Sequence, residues 1–415
     1  MEKQKDYSDA IAMTAFTLMG IGVVMVYSSK AGWDSQFTSY RLLLYAFAVL
    51  IVFLFSIVPY QWFSIPERGE IKGRIQEADE LGSSKFLAFV RGVLRCAALP
   101  LFMLATLSLL ILIFAGFGKS VNNSMRWIVL GPIKFQPSEM AKYCVIFFLC
   151  WFAVKHNHVL QRCSIIKPKN SLDSPYNGPR GLKFFALLFM AFIVPAVYIL
   201  LVIVNDFGTG AFMCLIAALI LFIGGLPLWM LAGGVTAGIP LLSVFVWLRP
   251  YRVKRILAFL NDNGQYKDIN YQQNQSLAAI YNGGIFGEGL GRGICKRGAV
   301  PEAETDFIFS VIGEELGLLG ALLVIALFVT LLILGLKTAK QCREPFGKLL
   351  AFTISAAFAI QAFMNILVVL KLLPNKGIPL PFISAGGTSL FISCMGIGIL
   401  MNIARQSSKS LEENY

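Results

Sequence analysis

The sequence predicts an all-α polytopic membrane protein with ten transmembrane helices, both termini in the cytoplasm, and one long extracytoplasmic loop between helices 7 and 8. Three observations predict this fold. Of the 415 residues, 57% are hydrophobic and 14% are charged, whereas soluble domains are only about 45–50% apolar. Apolar runs recur at the length that crosses a bilayer. The polar segments between these runs alternate in basic charge, as the positive-inside rule requires.

The ten predicted spans follow from the need for about 20 apolar residues to cross roughly 30 Å of hydrocarbon. The first run is long enough to remain as a span rather than to be a cleaved signal peptide. Lys and Arg are far more frequent in the segments placed inside than in the short outer loops, which puts the N-terminus inside. The runs cover 9–28, 41–63, 95–117, 137–154, 184–204, 210–225, 228–248, 306–336, 347–370 and 385–403.

Residues 1–415 are interpreted as one transmembrane domain, because no second folded domain and no internal repeat is evident. Its larger polar segments are an outer loop at 249–305 and two cytoplasmic loops at 64–91 and 156–183. The outer loop begins with RPYRVKRILAFL, which predicts an amphipathic helix at the membrane interface. It continues through GGIFGEGLGRG, which lacks the lysine and serine of a P-loop and follows no strand. A tight turn is therefore favoured over a nucleotide site.

Ionisable residues inside or at the edge of spans are costly in lipid, so each is a candidate functional residue. Glu139 and Lys142 are three residues apart, share a helical face and can neutralise each other, either as a structural ion pair or in a site. Asp206 lies at an outer helix end, where it either caps a turn or contributes to function. The remaining candidates are Asp306, Glu314 and Glu315.

The stretch PEAETDFIFSVIGEELGLLG places Asp306 at the outer end of a predicted span, with Glu302 and Glu304 just before it. Burial and neighbouring carboxylates favour the protonated form of a carboxyl group, which suits a general base that works near neutral pH. The alternative is that Asp306 caps the helix N-terminus. Glu314 and Glu315 point about 100° apart on a helix, and we interpret them as structural anchors to other helices.

Most of the charged candidate residues lie on the predicted outer side of the membrane. Arg252, Arg255, Lys296 and Lys376 accompany the acid there, and LPNKGIPLPFISAGGTS supplies irregular backbone that has to line a cavity or be buried in protein. The sequence therefore predicts an outward-facing, lipid-accessible cavity that binds an anionic headgroup beside a base. The net charge of +13 is attributed to loop residues at the membrane, so no nucleic-acid partner is expected.

Six motifs in order resemble the FtsW/RodA (SEDS) family of cell-wall polymerases. They are RWIVLGPIKFQPSEMAK (126–142), DFGTG (206–210), YRVKRILAFL (251–260), QSLAAIYNGGIFGEGLGRG (275–293), PEAETDFIFSVIGEELGLLG (301–320) and LPNKGIPLPFISAGGTSL (373–390). Lys376 in PNKG resembles the FtsW branch, since RodA proteins usually carry Thr there. The resemblance implies polymerisation of lipid II on the outer face of the cytoplasmic membrane, at the division septum. It also implies a class B penicillin-binding protein transpeptidase and divisome regulators as partners.

The resemblance implies that Asp306 is the catalytic base, which takes the proton from the acceptor sugar. A divalent cation, Mg²⁺ or Mn²⁺, is a further prediction, with Glu302 and Glu304 as its ligands. Glu304 itself departs from the family, whose members usually carry His there. The predicted substrate-binding residues are Arg126, Trp127, Glu139, Lys142, Asp206, Arg252, Arg255, Gln275, Ser276, Lys296, Lys376 and Ser384.

The sequence leaves three alternatives open. A lipid II flippase or other transporter needs ionisable groups along a path through the membrane midplane, whereas most polar residues here lie on the predicted outer side. An inactive scaffold for division proteins would tolerate loss of Asp306. A RodA-type elongation polymerase would share the chemistry and differ in cellular role.

Overall fold

The computed structural model describes residues 6–29, 35–65, 85–121, 124–130, 133–162, 182–247, 250–260, 267–293, 300–301 and 303–412. The predicted site residues Lys296 and Glu302 lie outside these ranges. So do most residues of the two predicted cytoplasmic loops.

The protein is mostly helical. A 3₁₀ turn at Tyr60–Phe63 and a π-helical turn at Ile113–Phe117 accompany the α-helices. The α-helices are α1 (Ser8–Ser28), α2 (Ser35–Ile57), α3 (Lys85–Leu112), α4 (Pro137–Lys155), α5 (Asn157–Arg162), α6 (Leu182–Asn205), α7 (Phe207–Ile223), α8 (Leu228–Trp247), α9 (Pro250–Leu260), α10 (Lys267–Gly283), α11 (Ile308–Glu315), α12 (Gly317–Gln341), α13 (Pro345–Val369) and α14 (Gly387–Glu412).

The apolar helices fall on the predicted spans. In the described part of the chain, 8 helices are long and apolar enough to cross a membrane, and two shorter apolar helices cover Arg41–Ile57 and Phe207–Ile223. Together they coincide with the ten apolar runs of the sequence. The multi-pass membrane character is thereby confirmed, and the count of ten spans stays a prediction.

The predicted span 306–336 is wrong at its start. Helix α11 ends at Glu315 and α12 begins at Gly317, whose φ of +69° lies in the left-handed region. A residue with this φ interrupts a right-handed helix, and glycine adopts it without steric cost. The long apolar helix is therefore α12, and the acidic stretch belongs to a turn and to the short helix α11.

A small antiparallel sheet is the second departure from the all-α prediction. Strands β1 (Lys119–Val121), β2 (Ser124–Leu130) and β3 (Ile133–Phe135) pair in the order β1-β2-β3. The β2 sequence SMRWIVL is rich in the aromatic and β-branched residues that favour extended backbone. This segment lies between two predicted spans, where we expected only a loop.

The chain divides into two compact units. The first comprises Met1–Ile57, Gly238–Cys342 and Ile354–Tyr415. Within it α14 packs along α2 and against α1 and α12, and α10 packs against α11. Membrane helices gain little from the hydrophobic effect against lipid, so close packing at small residues has to hold them together. Gly398 of α14 fits this pattern, since a Cβ there would lie 2.7 Å from the backbone oxygen of Val52 in α2.

The second unit comprises Val58–Ala237 and Arg343–Thr353. Its central helix is α4, which packs against α3, α6 and α7. Phe147 of α4 is fully buried and stacks on Phe63 with ring centroids 4.4 Å apart. Nearly every residue of α4 is buried, so the polar residues on this helix lie inside protein and not against lipid.

The glycine-rich turn predicted after α10 is confirmed, and it closes on the α11–α12 junction. The amides of Glu288 and Gly289 donate to the carbonyl oxygens of Glu314 and Glu315, each at 3.0 Å, and Leu318 N donates to Gly284 O at 2.9 Å. Polar backbone groups exposed by the helix break are thus satisfied within the protein, as a membrane protein requires.

Replacing Gly287 by Ala is expected to destabilise the protein by about 2–4 kcal/mol. Gly287 has φ +80°, and a Cβ there would lie 2.2 Å from the carbonyl oxygen of Glu315, which is backbone and cannot rotate away. The measurement is thermal unfolding of purified protein. The control is Gly20→Ala in α1, where a Cβ meets nothing within 4 Å and alanine favours the helix. Equal unfolding temperatures for the two variants would contradict the prediction.

Candidate active site

Asp306 lies in a turn immediately before α11 and is half-buried. The N-cap residue of α11 is Phe307, and no side chain donates or accepts a capping hydrogen bond there. The two interpretations of Asp306, as a helix cap and as a base, both stay predictions. The turn that carries Asp306 is firmly held.

The turn is held through its backbone. The carbonyl oxygens of residues 304–306 each accept a hydrogen bond, from Ala385 N at 2.8 Å, Ser384 Oγ at 2.6 Å and Asn365 Nδ2 at 2.8 Å, in that order. We call these three donors the carbonyl clamp. Consecutive carbonyls bonded to separate groups leave the turn little freedom, so the Cα atom of Asp306 is fixed in space.

Ser384, a predicted substrate-binding residue, is itself held by a hydrogen bond within its own loop. It accepts a hydrogen bond from Leu380 N at 2.8 Å through the same hydroxyl that donates to Thr305 O. Phe382 between them has φ +66°, which costs a non-glycine residue about 1–3 kcal/mol. Its ring is buried against Phe358 with centroids 5.0 Å apart, which offsets this cost. The strained backbone at Phe382 thus places Ser384 where its hydroxyl bonds the segment that carries Asp306.

Glu304 forms an ion pair with Arg41 of α2, with Arg41 Nη2 and Glu304 Oε2 3.1 Å apart. The side chains are 18% and 30% exposed, and a partly exposed pair adds only about 0–1 kcal/mol to stability. Its main effect is to neutralise charge two residues from Asp306. The described residues contain no cluster of three or more His, Cys, Asp or Glu that could hold a metal. The divalent cation therefore remains a prediction.

Among the basic candidates of the first unit, two arginines donate to backbone carbonyls and one lysine is half-buried. On α9, Arg252 Nη1 donates to Phe245 O at 3.1 Å, and Arg255 Nη1 donates to Asn375 O at 2.8 Å. The helical prediction for this segment is confirmed. Lys376 is half-buried, and burial lowers the pKa of its ammonium group from the ordinary value of 10.5. A bound anion beside Lys376 would favour its charged form.

Helix α10 carries Gln275, which is half-buried, and Ser276, which is fully buried. Ser276 Oγ donates to Val369 O at 3.1 Å, and Gln273 Nε2 donates to both Val368 O and Leu373 O at 2.8 Å. Two of these carbonyls, of Val368 and Val369, end α13, where helix carbonyls lack partners within the helix, and Leu373 lies in the segment that follows. Ser276 therefore has a structural contact, and its predicted substrate contact remains untested.

In the second unit, Glu139 and Lys142 form the predicted ion pair. The Lys142 Nζ to Glu139 Oε2 distance is 2.8 Å, and the side chains of Lys142 and Glu139 are 7% and 2% exposed, respectively. The ammonium also lies 5.4 Å from the ring centroid of Phe212. The prediction that the two charges share one helical face and neutralise each other is confirmed.

Asp206 is both a helix cap and the centre of a buried polar cluster in the second unit. It accepts hydrogen bonds from Thr209 N at 3.2 Å, Thr209 Oγ1 at 2.9 Å and Gln136 Nε2 at 3.1 Å. Arg126 Nη1 on β2 lies 3.7 Å from Asp206 Oδ1. Trp127, the next residue of β2, is half-buried. Asp206 is 2% exposed, so it caps its helix inside the protein and not in solvent.

A pocket with about 250 Å³ of empty volume lies beside this cluster. Its walls include the apolar Leu110 and Leu201, and its polar side includes Arg126, Ser138 and Asp206. This volume includes space open to solvent, and the lining shows that the polar cluster borders an apolar wall.

Glu314 and Glu315 are buried in the first unit, at 0% and 1% exposure. Ser28 Oγ at the end of α1 donates to Glu315 Oε2 at 2.5 Å. This contact between distant segments supports the predicted anchoring role of Glu315.

The predicted site residues divide between the two units. Asp306, Glu304 and Ser384 come together in the first, and Arg126, Asp206 and the Glu139–Lys142 pair lie in the second. Sequence reasoning missed Arg41 and Asn365. Asn365 could have been found, because it is a polar side chain inside an apolar run, and such residues usually bond across helices.

The fold and site define a multi-pass helical membrane protein with an acid held in a braced turn. The sequence model of the FtsW/RodA/SpoVE family, described as cell cycle protein, matches residues 87–409. The chain belongs to this family.

Similar proteins agree with that membership. A probable peptidoglycan glycosyltransferase FtsW of Geobacter sulfurreducens is 39% identical over 311 residues, which cover 74% of this chain and 77% of the relative. One of the same name from Borreliella burgdorferi is 33% identical over 325 residues, which cover 78% and 84%.

Two solved structures share the fold. A chain of a peptidoglycan synthase complex, described as coordinating polymerization and crosslinking, superposes with a TM-score of 0.67 and 21% identity over 96% of this chain and 97% of that one. The rod shape determining protein RodA of Thermus thermophilus has a TM-score of 0.57 and 21% identity over 96% of both chains.

Proposed function

We infer that this protein is a peptidoglycan glycosyltransferase of the FtsW type, which polymerises lipid II into β-1,4 glycan strands on the outer face of the cytoplasmic membrane. The family match over most of the chain and the relatives named FtsW support the activity. The same relatives, with Lys376 in the PNKG motif, favour a division role over elongation.

Asp306 is the proposed base. The 4-hydroxyl of an acceptor GlcNAc transfers its proton to the Asp306 carboxylate while its oxygen bonds to C1 of the donor MurNAc. The bond from C1 to the diphosphate breaks, and undecaprenyl diphosphate leaves with that electron pair and with inversion at C1. Because the diphosphate is already a stable anion, one carboxylate suffices, unlike the two that most glycosidases need. The observation that carries this role is a half-buried acid in a turn whose three consecutive backbone carbonyls each accept a hydrogen bond.

Positive charge is the second requirement, since negative charge develops on the departing diphosphate. We propose Arg252, Arg255 and Lys376 of the first unit for this role. Lys296 and Arg126 are additional candidates, and a divalent cation at Glu302 and Glu304 could supply the same charge. We also propose that Trp127, Gln275 and the other predicted substrate-binding residues contact the substrate.

A class B penicillin-binding protein is the proposed partner, because it would crosslink the strands that this enzyme makes. The similarity to a chain of a peptidoglycan synthase complex supports this proposal. Activation by divisome regulators and localisation at the septum follow from the proposed division role.

The test is reconstitution of the protein with its transpeptidase partner in sealed vesicles that contain fluorescent lipid II. The proposed activity converts the label to a ladder of glycan strands that a muramidase digests. A transporter would instead move labelled lipid II between leaflets, detected by a membrane-impermeant quencher, and leave it monomeric. That second outcome would replace the proposed function.

A further inference from the structure

Asn365 is the member of the carbonyl clamp that lies on an apolar membrane helix, where a polar side chain is unexpected. It lies on α13 and is 1% exposed. Its Nδ2 atom donates to Asp306 O at 2.8 Å and to Ile378 O at 2.7 Å. A single amide therefore joins a membrane helix, the turn that carries Asp306 and the outer loop.

The orientation of this amide is fixed by its surroundings. Nδ2 has two carbonyl acceptors, whereas Oδ1 is buried and has no hydrogen-bond partner among the described residues. The reverse orientation would place an acceptor against two acceptors. A buried acceptor without a partner costs about 1–3 kcal/mol, so stability alone is a poor reason to place Asn here. Its two donated bonds are the feature that a purely apolar residue could not supply.

The two bonds join the turn and the outer loop to the same amide. Ile378 belongs to the loop that also contains Ser384 and Ala385, which bond the two carbonyls preceding that of Asp306. Asn365 bonds the carbonyl of Asp306 itself. Asn365 therefore bonds both the turn and, through Ile378, the loop that contains the other two donors, Ser384 and Ala385.

We propose that Asn365 is a positioning residue for Asp306, which holds the carboxylate where it can take the acceptor proton. The proposal rests on the proposed glycosyltransferase function. Displacement of a reacting group by about 1 Å can lower the rate on the order of 10²-fold. Asn365 is buried and bonds to backbone carbonyls. Its loss is therefore expected to lower the rate of the chemical step and to leave substrate binding unchanged.

Gln361 provides a matched control. It lies one turn earlier on α13, and its Nε2 donates to Pro379 O in the same loop at 2.9 Å. Asn365→Leu and Gln361→Met each remove an amide with little change in side-chain shape. Asn365→Leu is expected to lower kcat for lipid II polymerisation on the order of 10²-fold with KM little changed. Gln361→Met is expected to keep kcat near that of the wild type.

Hydrogen–deuterium exchange gives a readout that needs no glycan product. Exchange in peptides covering residues 303–312 is expected to be faster in Asn365→Leu and unchanged in Gln361→Met. If Asn365→Leu does not fold, Asn365→Gln, whose longer side chain displaces the same amide, is expected to show the same kcat loss.

Equal kcat values for Asn365→Leu and Gln361→Met, or an unaltered exchange pattern in both, would overturn the positioning role. Absence of glycan from the wild type with its partner would instead count against the proposed function. The exchange comparison would then decide separately whether Asn365 holds the turn.

Discussion

Asp306→Asn is expected to lower the rate of lipid II polymerisation on the order of 10²–10⁴-fold, which is the range for loss of a general base. Asparagine keeps the shape of the side chain, and the carbonyl clamp bonds only to backbone oxygens at residues 304–306. The amide cannot accept the acceptor proton as a carboxylate does. The measurement is kcat with fluorescent lipid II and the transpeptidase partner.

Thermal unfolding of Asp306→Asn is the control, and it should match that of the wild type, since the substitution keeps the side-chain shape and the three backbone bonds of the turn. The KM for lipid II should change little. Activity close to that of the wild type would refute the assigned base and favour a scaffold or transport role.

Lys142→Met is expected to destabilise the protein by about 3–5 kcal/mol, because it leaves the Glu139 carboxylate buried without its partner. The two side chains are 2.8 Å apart and almost inaccessible. Charge burial of this kind costs far more than the loss of an exposed pair. The measurement is the unfolding temperature of purified protein, together with the folded yield.

The double variant Glu139→Gln with Lys142→Met provides the control. It removes both charges and should recover much of the lost stability, since a neutral pair carries no uncompensated charge. If the single variant were as stable as the wild type, the pair would not be desolvated as the structure shows.

Much of the helical framework could be predicted from the sequence, because the length and polarity of a membrane span follow from the bilayer itself. The Glu139–Lys142 pair was predictable for a similar reason, since helical periodicity puts residues three apart on one face. The helix break at Leu316 was not predicted. The apolar run continues through it, and only the φ of Gly317 reveals the break.

The support of Asp306 could not be predicted, because it depends on contacts distant in sequence. Asn365 is 59 residues from Asp306, and Ser384 is 79 residues from Thr305. All three clamp bonds also end on backbone carbonyls, and every residue type has one. The pairing of Arg41 with Glu304 could not be predicted for the same reason, since the two residues are 263 positions apart.

The most direct measurement compares glycan synthesis by the wild type and by Asp306→Ala, each folded, bound to its transpeptidase partner and supplied with labelled lipid II. We predict muramidase-sensitive glycan strands from the wild type, and bound but unconverted lipid II from the variant. Glycan strands from both proteins would contradict the account, since the proton would then be taken by a group other than Asp306.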